Sequence, residues 1–304
     1  MPKNNLKQAM LPVGGTVFEN NHGTAPGAAL EKNGKCVIIL PGPPGELVPM
    51  FNESVRGFLK KYSDGAIVSH TVNIIGMGES SVAEEIEDMF DAKNPTVAPY
   101  AKSGEVRLRI TAKAETADEA DKMCAPVVDE ICSRLGDVVY GTDMNSIEER
   151  VVALLKEKGK KIATAESCTA GYIPKRLTDI PGASEVFECG IVSYSNDIKT
   201  KLLGVSPKTL ETYGAVSEQT AREMALGAKH VSGADIAIST TGLAGPGGDG
   251  ILPGGLSFAA VTDGERTVVE KIVTGHENDR EYNRYVTASR ALNLARLMLE
   301  EKIK

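Results

Sequence analysis

The run Ala165-Glu166-Ser167-Cys168-Thr169-Ala170-Gly171 sets a hydroxyl beside a thiol, directly after the apolar stretch Ile162-Ala163-Thr164. Such a stretch reads as a buried strand, so Ser167 is expected on a strand-to-helix turn. Backbone N–H groups of the opening helical turn would then point at whatever the serine attacks, favouring an oxyanion or a phosphate. A second cluster follows at Tyr194-Ser195-Asn196-Asp197 and Lys199. Serine, tyrosine and lysine are the parts of a hydrolase that needs no metal, with lysine and tyrosine removing and relaying the serine proton. Ser and Thr also cap helices, and the first cluster alone is better read as a cap. The joint occurrence turns the reading toward catalysis. Cys168 is the rival nucleophile. A thiol needs a base or a helix-terminus field to ionise, and adjacent turn residues point in different directions, so only one of the two faces a pocket.

A third segment, Gly242-Leu243-Ala244-Gly245-Pro246-Gly247-Gly248, follows the apolar run that ends at Ser239-Thr240-Thr241. Glycines after a buried strand let backbone amides approach a ligand at the carboxyl ends of strands, where open α/β sheets bind. No Gly-Lys-Ser/Thr follows, so this is not a Walker loop. A surface turn is the competing reading.

The elements that must position these residues come from periodicity and turn signals. In 304 residues the length prior suggests about two domains, with three small ones possible. Residues 36–40 form an apolar strand ended by Pro41-Gly42-Pro43-Pro44, and 46–60 read as a helix. One strand and one helix cannot close a core. Next come a strand at Val72, Ile74 and Ile75, a helix over 80–90, and a half-buried strand at Val106, Leu108 and Ile110. A helix over 117–135 completes a small split α+β unit. Arg107 and Arg109, on the alternate positions of that strand, read as a solvated face. From Ile147 helices and strands alternate, which implies helices on a largely parallel sheet. Residues 256–261 and 267–273 flank Asp263-Gly264, a hairpin signal for an antiparallel edge. The last helix carries Tyr285, Ala288, Leu292, Ala295 and Leu299 as a core stripe.

Composition excludes several classes. Lys and Arg total 34 against 41 Asp and Glu, and the net charge of −7 argues against a protein that wraps nucleic acid. The five cysteines, Cys36, Cys124, Cys132, Cys168 and Cys189, include no Cys-x-x-Cys pair, which disfavours a disulfide framework or structural zinc and suits a reducing cytoplasm. His22, His70, His230 and His276 fall in no metal-ligand spacing and read as surface or capping residues. No stretch is long and apolar enough to span a bilayer.

Four ordered motifs, 165–171, Tyr194 to Lys199, Gly214-Ala215-Val216-Ser217-Glu218 and 242–248, resemble the C-terminal domain of the competence/damage-inducible CinA family. The resemblance implies nicotinamide-nucleotide amidohydrolysis: nicotinamide mononucleotide yields nicotinate mononucleotide and ammonia in pyridine nucleotide salvage. It implies catalytic Ser167, Tyr194 and Lys199, with Thr169, Gly171, Asn196, Gly242, Ala244, Gly245 and Arg280 binding substrate. It implies no metal and no cofactor for this reaction. Lys7-Gln8-Ala9, Gly23-Thr24-Ala25-Pro26-Gly27 and Leu40-Pro41-Gly42-Pro43-Pro44 resemble the second half of the molybdopterin-biosynthesis-type domain that opens full-length family members. The middle segment resembles the family's KH-like domain.

Two departures stand out in the last domain. Ala170 takes a place where the family commonly has glycine, a change a helix start is expected to tolerate. The stretch 275–280 is longer than the family's usual Gly-Asp-Arg. The family's first hundred or so residues have no counterpart in this sequence, which disfavours the divalent-metal-dependent ADP-ribose pyrophosphatase activity linked to that domain.

The expected architecture is therefore α/β in three parts: a partial molybdopterin-biosynthesis-type domain over 1–70, a KH-like α+β domain over 71–142, and a three-layer amidohydrolase domain with a mostly parallel sheet over 143–304. The expected partner is a small-molecule nucleotide, with neither nucleic acid nor membrane, and the expected assembly is a homodimer or higher homo-oligomer. The alternatives are the metal-dependent pyrophosphatase and a non-catalytic nucleotide-sensing or interaction protein. A binding module would have no need of Ser167, Tyr194 and Lys199 together.

Overall fold

The computed structural model describes residues 7, 8, 10–62 and 64–303; Ala9 of the Lys7-Gln8-Ala9 match lies outside them. The chain divides into two compact units, 1–66 and 67–304.

In the first unit, β1 (Thr16–Phe18), β2 (Gly27–Lys32) and β3 (Lys35–Ile39) form an antiparallel sheet in that order. Helix α1 (Pro44–Met50) continues through a wide turn at Phe51–Val55 into α2 (Arg56–Leu59). Phe18, Ala29, Met50 and Val55 close a small core, joined by Phe58 edge-on to Phe18 at 5.4 Å. The expectation of one strand and one helix is thus corrected: β1 spans only three residues, and β2, which opens on Gly27 after Pro26 and ends in Glu31 and Lys32, carries little apolar alternation. Val17, Leu30, Val37 and Ile39 remain exposed on this sheet.

The second unit opens with β4 (Ala66–Ile75), so position 70, expected as a boundary, falls inside a strand. Helix α3 (Glu79–Glu85), β5 (Thr96–Lys102), β6 (Glu105–Ala114), α4 (Ala117–Leu135) and β7 (Val139–Thr142) follow, with sheet order β5-β6-β4-β7. Thr116 caps α4 reciprocally with Glu119, which is why the helix begins there. Val72, Ile74, Leu108, Ile110 and Ile131 fill this core. Arg107 is not the solvated side chain expected. It donates to the Asn73 side chain and to the carbonyls of Met144 and Asn145, tying the sheet to the segment that leaves it. His70 likewise sits between Asp121 and Asp143, at 2.8 and 2.6 Å.

The remaining elements are α5 (Ile147–Lys158), β8 (Ile162–Glu166), α6 (Tyr172–Thr178), β9 (Phe187–Val192), α7 (Asn196–Leu203), α8 (Pro207–Tyr213) and α9 (Glu218–Ser232). They are followed by β10 (Ile236–Gly242), β11 (Leu256–Thr262), β12 (Thr267–Val273) and α10 (Arg280–Leu299). The sheet order is β12-β11-β10-β8-β9. Strands β9, β8 and β10 run parallel; β11 and β12 are antiparallel, giving two pairings of each kind. One sheet face packs Ile162, Ile236, Ile238 and Val261 against α5 and α10 residues such as Leu155 and Leu292. The other packs Ala163, Ala165 and Ala237 against Leu203 and Met224. The small residues on that second face let α9 lie close, and Gly227 meets the Leu203 carbonyl directly, where a Cβ would collide. Among the described residues no helix is long and apolar enough to cross a membrane.

Candidate active site

Both chemistry-bearing turns begin where parallel strands end. Ser167 N–H donates to Thr240 O at 2.9 Å and Ser193 N–H to Glu166 O at 2.8 Å, so each extends the ladder by one residue beyond its strand. This is the carboxyl edge of the parallel half of the sheet, the usual ligand side of such sheets. Ser195 then caps α7 through Ile198 N–H, and one turn of helix brings Lys199 back toward Ser167.

Lys199 is 1% exposed. Its Nζ stands 3.1 Å from Ser167 Oγ, 2.8 Å from Ser193 O and 3.2 Å from Tyr194 O. Two carbonyls accept its N–H groups, and the serine hydroxyl occupies the third direction. Among the described residues no carboxylate stands within ion-pairing distance of it, and burial lowers its pKa below that of a free lysine. A neutral amine fits these contacts: two N–H groups donate and the lone pair faces the serine O–H.

Cys168 is 6% exposed but borders the same cavity as Ser167, so the expectation that only one of the pair faces a pocket is corrected; burial pushes its thiol up to about 12. At neutral pH it is a protonated thiol, so Ser167 is the nucleophile candidate of the pair.

The expected anion hole at Thr169 to Gly171 is corrected. None of the three borders the cavity described below; Ile173 N–H donates to Glu166 Oε2 at 3.1 Å and Tyr172 N–H to Thr169 O at 3.2 Å, and the Glu166 carboxyl lies wholly buried at the end of β8, where burial raises its pKa. Thr169 is buried too, its hydroxyl 2.6 Å from that of Thr240 and its carbonyl accepting from Arg284 at 2.6 Å. Ala170 has φ of 50°, in the left-handed region, so the exchange of glycine for alanine here places a Cβ in a conformation L-residues disfavour.

A cavity of about 330 Å³ opens above Ser167. The structure brings Ser167, Tyr194, Lys199, Gly242, Ala244, Gly245 and Arg280 together around it. Asn196 lies instead at a separate cavity with Asp197 and Thr200, while Thr169 and Gly171 do not border the cavity above Ser167. Ala215, Val216, Thr241 and Leu243, which the sequence motifs contain but which were not expected to bind substrate, also line it. Thr241 Oγ1 donates to Ala215 O at 2.6 Å and so pins the 214–218 motif to β10, the signal that the motif belongs to the site.

Tyr194 corrects the relay. It is 62% exposed, and its hydroxyl stands 3.5 Å from Arg280, which also donates to Gly245 O at 2.8 Å. Among the described residues the hydroxyl makes no hydrogen bond to Ser167 or Lys199; Tyr194 touches the lysine only through its carbonyl. The pair Tyr194 and Arg280 spans the cavity mouth. The glycine loop lines the same cavity and is tied to this pair through the Arg280 bond to Gly245 O. Gly245 has φ of 88°, and a Cβ there would collide with the Glu277 carbonyl oxygen, so this turn of the loop admits only glycine.

With this geometry in place, comparison with known proteins becomes specific. Residues 144–299 match the CinA C-terminal domain and residues 69–141 the damage-inducible protein CinA KH domain. The chain belongs to the CinA family. A putative competence-damage inducible protein of Clostridium beijerinckii is 54% identical over 91% of this chain and 68% of its own length. A CinA-like protein of Desulfovibrio desulfuricans is 47% identical over 96% of this chain and 70% of its own. Among solved structures, competence/damage inducible protein CihA from Agrobacterium tumefaciens aligns with a TM-score of 0.49 at 38% identity, over 51% of this chain and 93% of its own.

Proposed function

We propose that this CinA protein is an amidohydrolase that converts nicotinamide mononucleotide to nicotinate mononucleotide and ammonia. The observation that carries the reading is the Lys199 Nζ to Ser167 Oγ approach of 3.1 Å, with the other lysine contacts going to carbonyl oxygens. Neutral Lys199 takes the Ser167 proton as Oγ attacks the carboxamide carbon. The protonated lysine then delivers a proton to the departing nitrogen, ammonia leaves and an ester to Ser167 remains. Water, deprotonated by the same amine, hydrolyses that ester and restores the serine. The cavity has the size range of a small-molecule site. The glycine loop lines the cavity without bulky side chains, and Arg280 supplies a cation at the rim for an anionic end of the substrate.

The test is product analysis. The full chain is incubated with nicotinamide mononucleotide, nicotinamide, glutamine and asparagine, with ammonia measured enzymatically and pyridine products by chromatography. The expected result is equimolar ammonia and nicotinate mononucleotide from the nucleotide alone. Release from a different amide, or from none, contradicts the assignment.

A further inference from the structure

Helix α10 opens beside the cavity, and its first residues grip three different segments. Arg280 donates to Gly245 O and Arg284 to Thr169 O, while Asn283 Nδ2 donates to Ala244 O at 2.9 Å and to His276 O at 2.6 Å. Asn283 is 2% exposed and lies outside the cavity lining. Its Oδ1 accepts from the Thr274 hydroxyl, so the amide has one satisfied orientation, nitrogen toward the two carbonyls and oxygen toward the hydroxyl.

The other ties on the glycine loop are of two kinds. Leu243 N to Leu256 O (2.8 Å), Gly255 N to Leu243 O (2.7 Å) and Gly247 N to Glu277 O (3.0 Å) are backbone bonds. The Arg280 bond to Gly245 comes from a rim cation that an anionic ligand would draw away. Asn283 grips the same stretch from behind, out of any ligand's reach.

We propose that Asn283 is the positioning residue of the glycine loop, clamping Ala244 to the 276 turn so that the cavity wall stays set when Arg280 leaves Gly245 for an anionic ligand. Replacing the amide leaves two carbonyls without their donor and the Thr274 hydroxyl with only the Gly255 carbonyl, at 3.5 Å, to donate to. The wall then loosens while the Ser167 and Lys199 pair, held by β8 and α7, is untouched.

Asn283→Ala and the milder Thr274→Val test this by hydrogen exchange and kinetics together. Exchange of peptides spanning 243–255 should accelerate about fivefold or more in Asn283→Ala and less in Thr274→Val, with peptides spanning 162–170 and 193–203 unchanged. The kinetic arm rests on the amidase reading. There KM for nicotinamide mononucleotide should rise about tenfold with kcat within about threefold, and Ser167 acylation by 4-nitrophenyl acetate should stay within about twofold of wild type. Exchange in 243–255 that matches wild type overturns the proposal, as does acceleration spread evenly over the chain or an equal fall in acylation. Loop exchange that accelerates in a protein whose wild type releases no ammonia supports the clamp and refutes the amidase reading, so the two fail separately.

Discussion

Lys199→Arg is the substitution that separates a base from a fixed charge. In the native site the amine is 1% exposed, two carbonyls take its N–H groups, and burial depresses its pKa. A base must be neutral to accept the Ser167 proton, so the rate is low where Lys199 is protonated. It rises as pH climbs through the lowered pKa and levels off before the 10.5 of an ordinary lysine. Arginine keeps the positive charge but does not deprotonate in proteins. Positioned general bases contribute roughly 10²- to 10⁴-fold, equivalent to about 3–5 kcal/mol of barrier at 1.36 kcal/mol per decade. Lys199→Arg should therefore lose about that factor in kcat, nearly as much as Lys199→Ala, and its residual rate should lack the rise with pH. Steady-state ammonia release from pH 6 to 10 is the assay. An arginine variant that keeps kcat within about threefold and retains the wild-type pH profile removes Lys199 from proton transfer and refutes this reasoning.

Three further outcomes follow from the geometry. Tyr194→Phe keeps the carbonyl that Lys199 uses and loses only the hydroxyl beside Arg280, so kcat should fall by less than about tenfold; a hundredfold loss in steady-state assays would restore the phenol to the proton relay. Arg280→Ala should raise KM for nicotinamide mononucleotide by about ten- to a hundredfold with little change in kcat, and an unchanged KM would place the anionic end elsewhere. Ala170→Gly relieves a left-handed φ of 50° and should raise unfolding stability by about 0.5–1 kcal/mol after the entropy cost of glycine, read from urea midpoints; a loss of stability would show the conformation to be unstrained.

The parts of the fold that the sequence made legible are those with long periodic patterns or complete start signals. The α4 span appears in full because Thr116 and Glu119 form a capping box before a long amphipathic run. Strands β5 and β1, and helices α7 and α8, carry no such signal: Pro99 interrupts β5, β1 spans three residues, and each helix is eight residues or fewer. The site was legible as motifs, and less so as directions. Ser167, Lys199 and the glycine loop meet because their strands end on one edge. Which way a backbone group points depends on buried neighbours: Glu166 inside the motif takes the Ile173 N–H, the Thr169 carbonyl takes that of Tyr172, and Thr169 to Gly171 stand outside the cavity lining. Tyr194 shows the same limit: it lies near Lys199 in sequence, yet its hydroxyl turns outward to Arg280. That partner opens a helix far along the chain, and nothing in the sequence around Tyr194 points to it.

The central claim is that Ser167, activated by Lys199, is the nucleophile. Ammonia release and nucleotide binding measured side by side in Ser167→Ala and Cys168→Ala test it most directly, with binding followed by calorimetry. Ser167→Ala should lose ammonia release while holding nicotinamide mononucleotide within about threefold of wild type, and Cys168→Ala, which replaces a buried protonated thiol, should turn over within about threefold of wild type. Ammonia release that persists in Ser167→Ala and vanishes in Cys168→Ala would contradict it.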